Sequence, residues 1–224
     1  MSIPANIKFL SIEGAIGVGK TSLARMLASH FETAYADSCA VSLLEEKFDA
    51  NPFLEKFYAN PDEYAFQTQI FFLVSRLKEL ENNINQIDLF RRLIISDYTF
   101  DKDRIFALHN LTDEEFSLYE TISNALEKHI SPPDFIIYLE ASTDTLQKRI
   151  RLRNREMEKN ISREYLQDIQ ESYGKYFWHY SGCPVLIINT DNIDFVHNEV
   201  HFQEIVKIIE TWPTQTSYFV PQGK

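Results

Sequence analysis

Three observations predict an α/β fold built on a parallel, doubly wound sheet flanked by helices. Short apolar runs of strand type alternate with stretches of helical periodicity, five such runs in all. The first run leads through a glycine-rich turn directly into a helical pattern. No Pro/Gly/Ser-rich linker divides the 224 residues, which are enough for one large domain spanning 1–224.

The first strand is read over residues 7–12. The turn after it is Gly14-Ala15-Ile16-Gly17-Val18-Gly19-Lys20-Thr21, a match to the P-loop pattern G-x-x-x-x-G-K-[ST], and Ser22 continues into a helix through residue 31. Glycines let backbone N–H groups turn inward around a phosphate, and the helix N-terminus adds a positive dipole end. Lys20 is expected on the β/γ-phosphates and the Thr21 hydroxyl on Mg²⁺. A chance glycine-rich turn would need neither the strand before nor the helix after.

A second strand over 40–44 ends in Glu45-Glu46. In open α/β sheets the ligand crevice lies beyond the strands' carboxyl ends, so these acids read either as a candidate general base or as a solvated turn. Pro52 suits the first turn of a short aromatic helix over 52–58. Asn60-Pro61 opens a longer helix to about residue 84, with an apolar face through Phe66, Ile70, Leu73, Leu77 and Leu80. Gln69 and Arg76 share one stripe of it; they could read a heterocyclic base, although spacing alone favours solvent exposure.

The third strand, 93–97, ends on Asp97, placed to hold a metal water or a substrate hydroxyl. Asp101, Asp103 and Arg104 follow as a charged helix start. Thr112 and Glu115 form a capping box for a helix over 112–129. A fourth strand, 135–139, precedes a helix entered at Ser142 or Thr143 that carries Lys148, Arg149, Arg151, Arg153 and Arg155. Such a run is usually a solvated face, but near a P-loop arginines can neutralise a transferring phosphoryl group. This segment, about 149–160, is the expected lid. A helix over 162–180, a fifth strand over 184–189, a loop over 190–195 and a helix at about 199–211 complete the chain. The tail at 213–224 is expected to be loosely held.

The net charge of −11 disfavours nucleic acid and anionic membrane surfaces as partners. Cys39 and Cys183 are too few for a disulfide framework, and no signal pattern or membrane-length apolar run is present, so reduced thiols in a cytoplasmic protein are expected.

With these residues in view, the chain from about Ile7 to Phe195 resembles the deoxynucleoside kinases, most of all the bacterial branch acting on deoxyadenosine, deoxyguanosine or deoxycytidine. The resemblance rests on the P-loop, Glu46 ahead of Asn51-Pro52, Tyr58, the run from Tyr64 to Gln69 with Ser75-Arg76, Asp97-Tyr98-Thr99 with Asp103-Arg104, and Arg149-x-x-x-Arg153-Asn154-Arg155-x-x-Glu158. It implies ATP as phosphoryl donor with Mg²⁺ at Thr21 and Asp97, a deoxynucleoside acceptor with adenine favoured, and a homodimer. It further implies that Glu46 accepts the proton of the 5′-hydroxyl, that Tyr58 and Glu158 bind the 3′-hydroxyl, and that Gln69, Arg76 and Asp103 recognise the base. Arg149, Arg153 and Arg155 would be the lid arginines on the phosphates, and Asp194 and Phe195 the loop packing on the donor adenine.

The sequence departs from the family pattern in three places. Asp97-Tyr98-Thr99 stands where Glu-Arg-Ser is common, which leaves open what orients Glu46 and what Asp97 serves. Asn154 replaces a lid glycine, and Asn tolerates the left-handed backbone the turn needs. Lys47 replaces the proline after Glu46, making Glu45 an alternative base. A thymidylate-kinase-like monophosphate kinase is a rival reading, opposed by a carboxylate where an acceptor phosphate would lie. A non-catalytic nucleotide-binding module is another; it has no need of a sugar-reading Tyr and Glu.

Overall fold

The computed structural model describes residues 7–34, 41–84, 93–128 and 130–221. Cys39 and Ala40, the latter the expected start of the second strand, lie outside the described residues, as does the end of the tail. Apolar runs become strands β1 (Phe9–Gly14), β2 (Val41–Leu44), β3 (Leu93–Ser96), β4 (Phe135–Glu140) and β5 (Val185–Asn189), all parallel. A sixth parallel strand, β6 (Ser217–Phe219), pairs with β5, giving the order β2-β3-β1-β4-β5-β6. The sheet therefore has six strands, not the five expected, and the sixth lies in the tail read as loosely held. Three residues are too short to show a period. What docks them is not local: the Trp212 ring stacks on Phe31 at 6.1 Å and meets Phe135 edge-on at 5.5 Å.

The helices are α1 (Lys20–Ala34), α2 (Leu54–Ala59), α3 (Pro61–Ile84), α4 (Lys102–Asn110), α5 (Asp113–Glu127), α6 (Thr143–Arg153), α7 (Arg163–Trp178) and α8 (Glu199–Ile209). Local chemistry sets several of their ends. Thr112 and Glu115 form the reciprocal capping box at α5. Ser142 caps α6 and Ser162 caps α7 by accepting from the third residue on. Asn154 ends α6 at φ 52° and ψ 42°, the left-handed geometry that Asn tolerates. The short aromatic helix begins two residues later than expected because Asn51 folds the chain first: its Oδ1 accepts from Phe53 N at 3.0 Å and its Nδ2 donates to Thr68 O at 3.2 Å.

The core lies on both faces of the sheet. One layer packs α1 and α8 against the central strands, through residues such as Leu23, Leu27 and Ile205. The other packs α3, α5 and α7, through Leu73, Leu80, Tyr119 and Tyr173, whose hydroxyl reaches Glu13 on the face of β1 that Phe9 also occupies. β1, between β3 and β4, ends at the glycine-rich turn, so the crevice beyond the strand ends opens there. Among the described residues no helix is long and apolar enough to cross a membrane.

Candidate active site

The glycine-rich turn adopts backbone conformations that side chains resist: φ is 145° at Gly14, 84° at Gly17 and 108° at Gly19. A Cβ at Gly19 would lie 2.8 Å from the Phe195 ring, and one at Gly17 would lie 2.7 Å from Ile150. The turn delivers Lys20, Thr21 and Ser22 as the first turn of α1, where backbone N–H groups have no intrahelical acceptor. Lys20 Nζ donates to Gly14 O at 2.7 Å and Ala15 O at 3.0 Å. Burial, with Lys102 nearby, pushes its ammonium down to about 7.

Thr21 Oγ1 donates to Asp97 Oδ2, and Asp97 Oδ1 accepts from Glu46 N at 2.8 Å. One acid thus joins the start of α1, the end of β3 and the segment after β2. Tyr98, next in the chain, points away: it is fully buried and its hydroxyl donates to Glu79 at 3.0 Å. The two adjacent acids part company. Glu45 makes a two-pronged pair with Arg25 at the surface, at 2.5 and 2.6 Å. Glu46 turns inward, where Arg76 donates to Oε1 from both Nε, at 3.0 Å, and Nη2. Lys102 Nζ donates to Oε2 at 2.5 Å. Burial would raise the Glu46 carboxyl; Lys102 and Arg76 together outweigh it and hold the group well below the usual carboxylate range.

Arg76 also donates from Nη1 to Asp103 at 2.7 Å. Asp103 is fully buried behind it, and burial pushes its carboxyl up to about 6 against the pull of Arg76. Gln69 and Arg76, 3% and 4% exposed, are both buried, contrary to the solvent-facing position that spacing alone favours. The reason is tertiary: α2, α4 and α5 pack against α3, and Glu46 and Asp103 enclose the Arg76 guanidinium. The Gln69 Oε1 is buried without a hydrogen-bond partner among the described residues. Glu158 is buried too, held by Arg153 at 2.5 Å and Arg155 at 3.3 Å, while the Arg155 guanidinium sits 3.9 Å above the Phe48 ring.

One cleft gathers Lys20, Thr21, Glu46, Tyr58, Gln69, Arg76, Asp97, Arg153, Arg155 and Glu158, with Glu45 at the same cleft and Asp103 one layer behind. A second depression, continuous at Gly17 and Arg153, is lined by Val18, Gly19, Ser22, Arg149, Asp194 and Phe195. There the Arg149 guanidinium donates to Val18 O at 3.0 Å, Thr190 Oγ1 at 2.9 Å, Thr190 O at 2.8 Å and Ile193 O at 3.1 Å. Phe195 is buried against Gly19, and Asp194 accepts from the backbone of Val196 and His197.

Sequence reasoning passed over three participants. Lys102 hides in a charged helix start. Thr99 donates from N at 2.5 Å and Oγ1 at 2.8 Å to Glu13, a fully buried acid at the end of β1 that also accepts from Tyr173 OH at 3.2 Å. A charge closing an apolar strand was the available signal for Glu13. Burial raises its carboxyl, opposed by Lys102 and Lys20.

The sequence model of the family described as deoxynucleoside kinase matches residues 10–212. Deoxyguanosine kinase of Bacillus subtilis (strain 168) is 35% identical over 201 residues, covering 88% of this chain and 93% of that protein. Deoxyadenosine kinase of Dictyostelium discoideum is 34% identical over 201 residues, covering 84% and 77%. A solved structure of deoxyadenosine kinase from M. mycoides with bound dATP superposes with a TM-score of 0.74 at 23% identity, covering 90% of this chain and 99% of that one; that likeness bears on the fold.

Proposed function

The chain belongs to the deoxynucleoside kinase family, and we propose that it transfers the γ-phosphoryl group of ATP to the 5′-hydroxyl of a purine 2′-deoxynucleoside. The observation that carries this reading is the clamped Glu46: a buried carboxylate held by two cations in the same cleft as Lys20 and Thr21. An ionised carboxylate beside a phosphate cradle suits a hydroxyl acceptor and repels a phosphorylated one.

In this reading the acceptor's base lies against Gln69 and Arg76, with Asp103 holding Arg76. The Gln69 amide offers a donor and an acceptor, which the edges of adenine and guanine both match in kind. Tyr58 and Glu158 take the sugar. Glu46 accepts the 5′-hydroxyl proton as the oxygen attacks phosphorus, and Lys20, Arg153 and Arg155 bear the charge that develops on the phosphoryl oxygens. Residues 149–160 act as the lid, and the depression beside Arg149, Asp194 and Phe195 takes the donor base.

Thr21 and Asp97 are hard oxygen donors already in contact, and they would hold Mg²⁺. Among the described residues no group of three or more His, Cys, Asp or Glu side chains converges. This agrees with an ion that takes one or two protein oxygens and leaves the rest of its shell to phosphate and water. Bound there, the ion would neutralise phosphate charge. The half-exposed apolar groove on α3, through Phe66, Ile70, Phe71 and Val74, supports pairing of two copies, which light scattering tests.

The deciding assay offers ATP-Mg²⁺ with each of deoxyadenosine, deoxyguanosine, deoxycytidine, thymidine and dTMP. The expected result is a 5′-monophosphate from one or both purine deoxynucleosides with dTMP inert. Turnover of dTMP alone overturns the reading, as does formation of ADP without any nucleoside acceptor.

A further inference from the structure

Glu46 presents two oxygens and about four lone-pair directions. Oε1 accepts twice from Arg76, so both of its directions are used. Among the described residues Oε2 accepts once, from Lys102 at 2.5 Å, and retains one. The lysine that fills the other place is itself fixed. It is the first residue of α4, its N–H donates to Thr99 Oγ1 at 3.2 Å, and Thr99 is anchored on Glu13. Its side chain is 8% exposed, so the ammonium is not a solvated surface charge that happens to lie near. Tyr98, on the site-proximal loop, is committed to Glu79 and offers Glu46 nothing.

From this geometry we propose that Lys102 is a positioning residue for Glu46. With Arg76, it locks the carboxylate in one rotation and leaves one lone pair of Oε2 as the acceptor for the substrate hydroxyl. The proposal rests on the reading of Glu46 as proton acceptor. Arg76 alone, bound to one oxygen, leaves the carboxylate free to turn about that contact; Lys102 supplies the second point. A group acting only through Glu46 has nothing left to do once Glu46 can no longer accept a proton, and that separates positioning from an independent charge effect.

The experiment is a double-mutant cycle on kcat with wild type, Lys102→Met, Glu46→Gln and the double variant. Lys102→Met is expected to lower kcat about 100-fold while the nucleoside KM stays within about threefold. The double variant is expected within about threefold of Glu46→Gln. Lys102→Arg, which keeps the cation, and ethylamine added to Lys102→Ala each restore a substantial part of the rate; ethanol does not. Unchanged kcat in Lys102→Met, or losses that multiply in the double variant, overturn the proposal. If Lys102→Met does not fold, Lys102→Gln takes its place in the cycle. A crystal structure of the nucleotide-free Lys102 variant supplies a readout independent of turnover. The Glu46 carboxylate is expected to rotate so that both oxygens meet Arg76, and an unmoved carboxylate overturns the proposal. Wild-type protein inert toward every nucleoside would instead defeat the kinase reading and leave that crystallographic outcome to decide the pairing.

Discussion

On the Glu46 side of the cleft, the half proposed to take the nucleoside, the polar groups are side chains held by other side chains, while on the side of the glycine-rich turn, proposed to take the phosphates, they are largely backbone groups held by glycine geometry. Glu46, Arg76, Asp103 and Lys102 form one chain of ion pairs drawn from three separate segments, the stretch after β2, α3 and the start of α4. Across from it, the turn from Gly14 to Thr21 needs three positive-φ glycines, and Arg149 serves it by donating to four oxygens, three of them backbone carbonyls. Side-chain charge can be tuned to one acceptor, at the cost of burying ions that depend on one another. Backbone N–H groups suit any phosphate and tolerate little change in chain path. In the proposed reading, specificity and charge placement therefore belong to one half, and generic phosphate binding to the other.

The sharpest way to break this division is Glu46→Gln. It should lower kcat about 1,000-fold while leaving the ATP KM within about threefold, as steady-state kinetics will show. An equal change in ATP KM would mean the halves are not separate. Arg76→Met should cost about 3 kcal/mol of stability in urea unfolding, because it strands fully buried Asp103. On the other side, Gly19→Ala forces a Cβ against the buried Phe195 ring at positive φ. It should weaken ATP binding about tenfold or more by calorimetry, with little effect on nucleoside binding. Arg149→Ala unties the carbonyls of Val18, Thr190 and Ile193. Its expected effect is a roughly fivefold rise in ATP KM, against an unchanged nucleoside KM.

The smallest expected effect is the pH dependence that Asp103 contributes to stability. The folded-state pKa of Asp103, about 6, lies above its ordinary 3.8, so the folded protein binds more protons than the unfolded chain between those values. Stability from this group is complete below about 3.8 and is lost as pH rises toward 6. The stability of wild type minus that of Asp103→Asn should therefore fall with pH across this window, by up to about 1 kcal/mol per pH unit. A flat difference would show that Arg76 compensates the carboxylate fully.

Much of the molecule was legible because its causes are local. The P-loop is eight consecutive residues whose φ values follow from glycine, the α5 cap from Thr112 and Glu115, and the left-handed end of α6 from Asn154. Five strands were visible as apolar runs. Tertiary contact alone decided the rest. Gln69 and Arg76 look solvent-facing by spacing and are buried because other segments close over α3. β6 is three residues made a strand by an edge elsewhere. Lys102 reaches Glu46 from 56 positions away and Arg76 from 30, so no local pattern could join them. A motif carried by the backbone is written in adjacent residues, whereas an ion pair between side chains exists only once the sheet has brought its strand ends together.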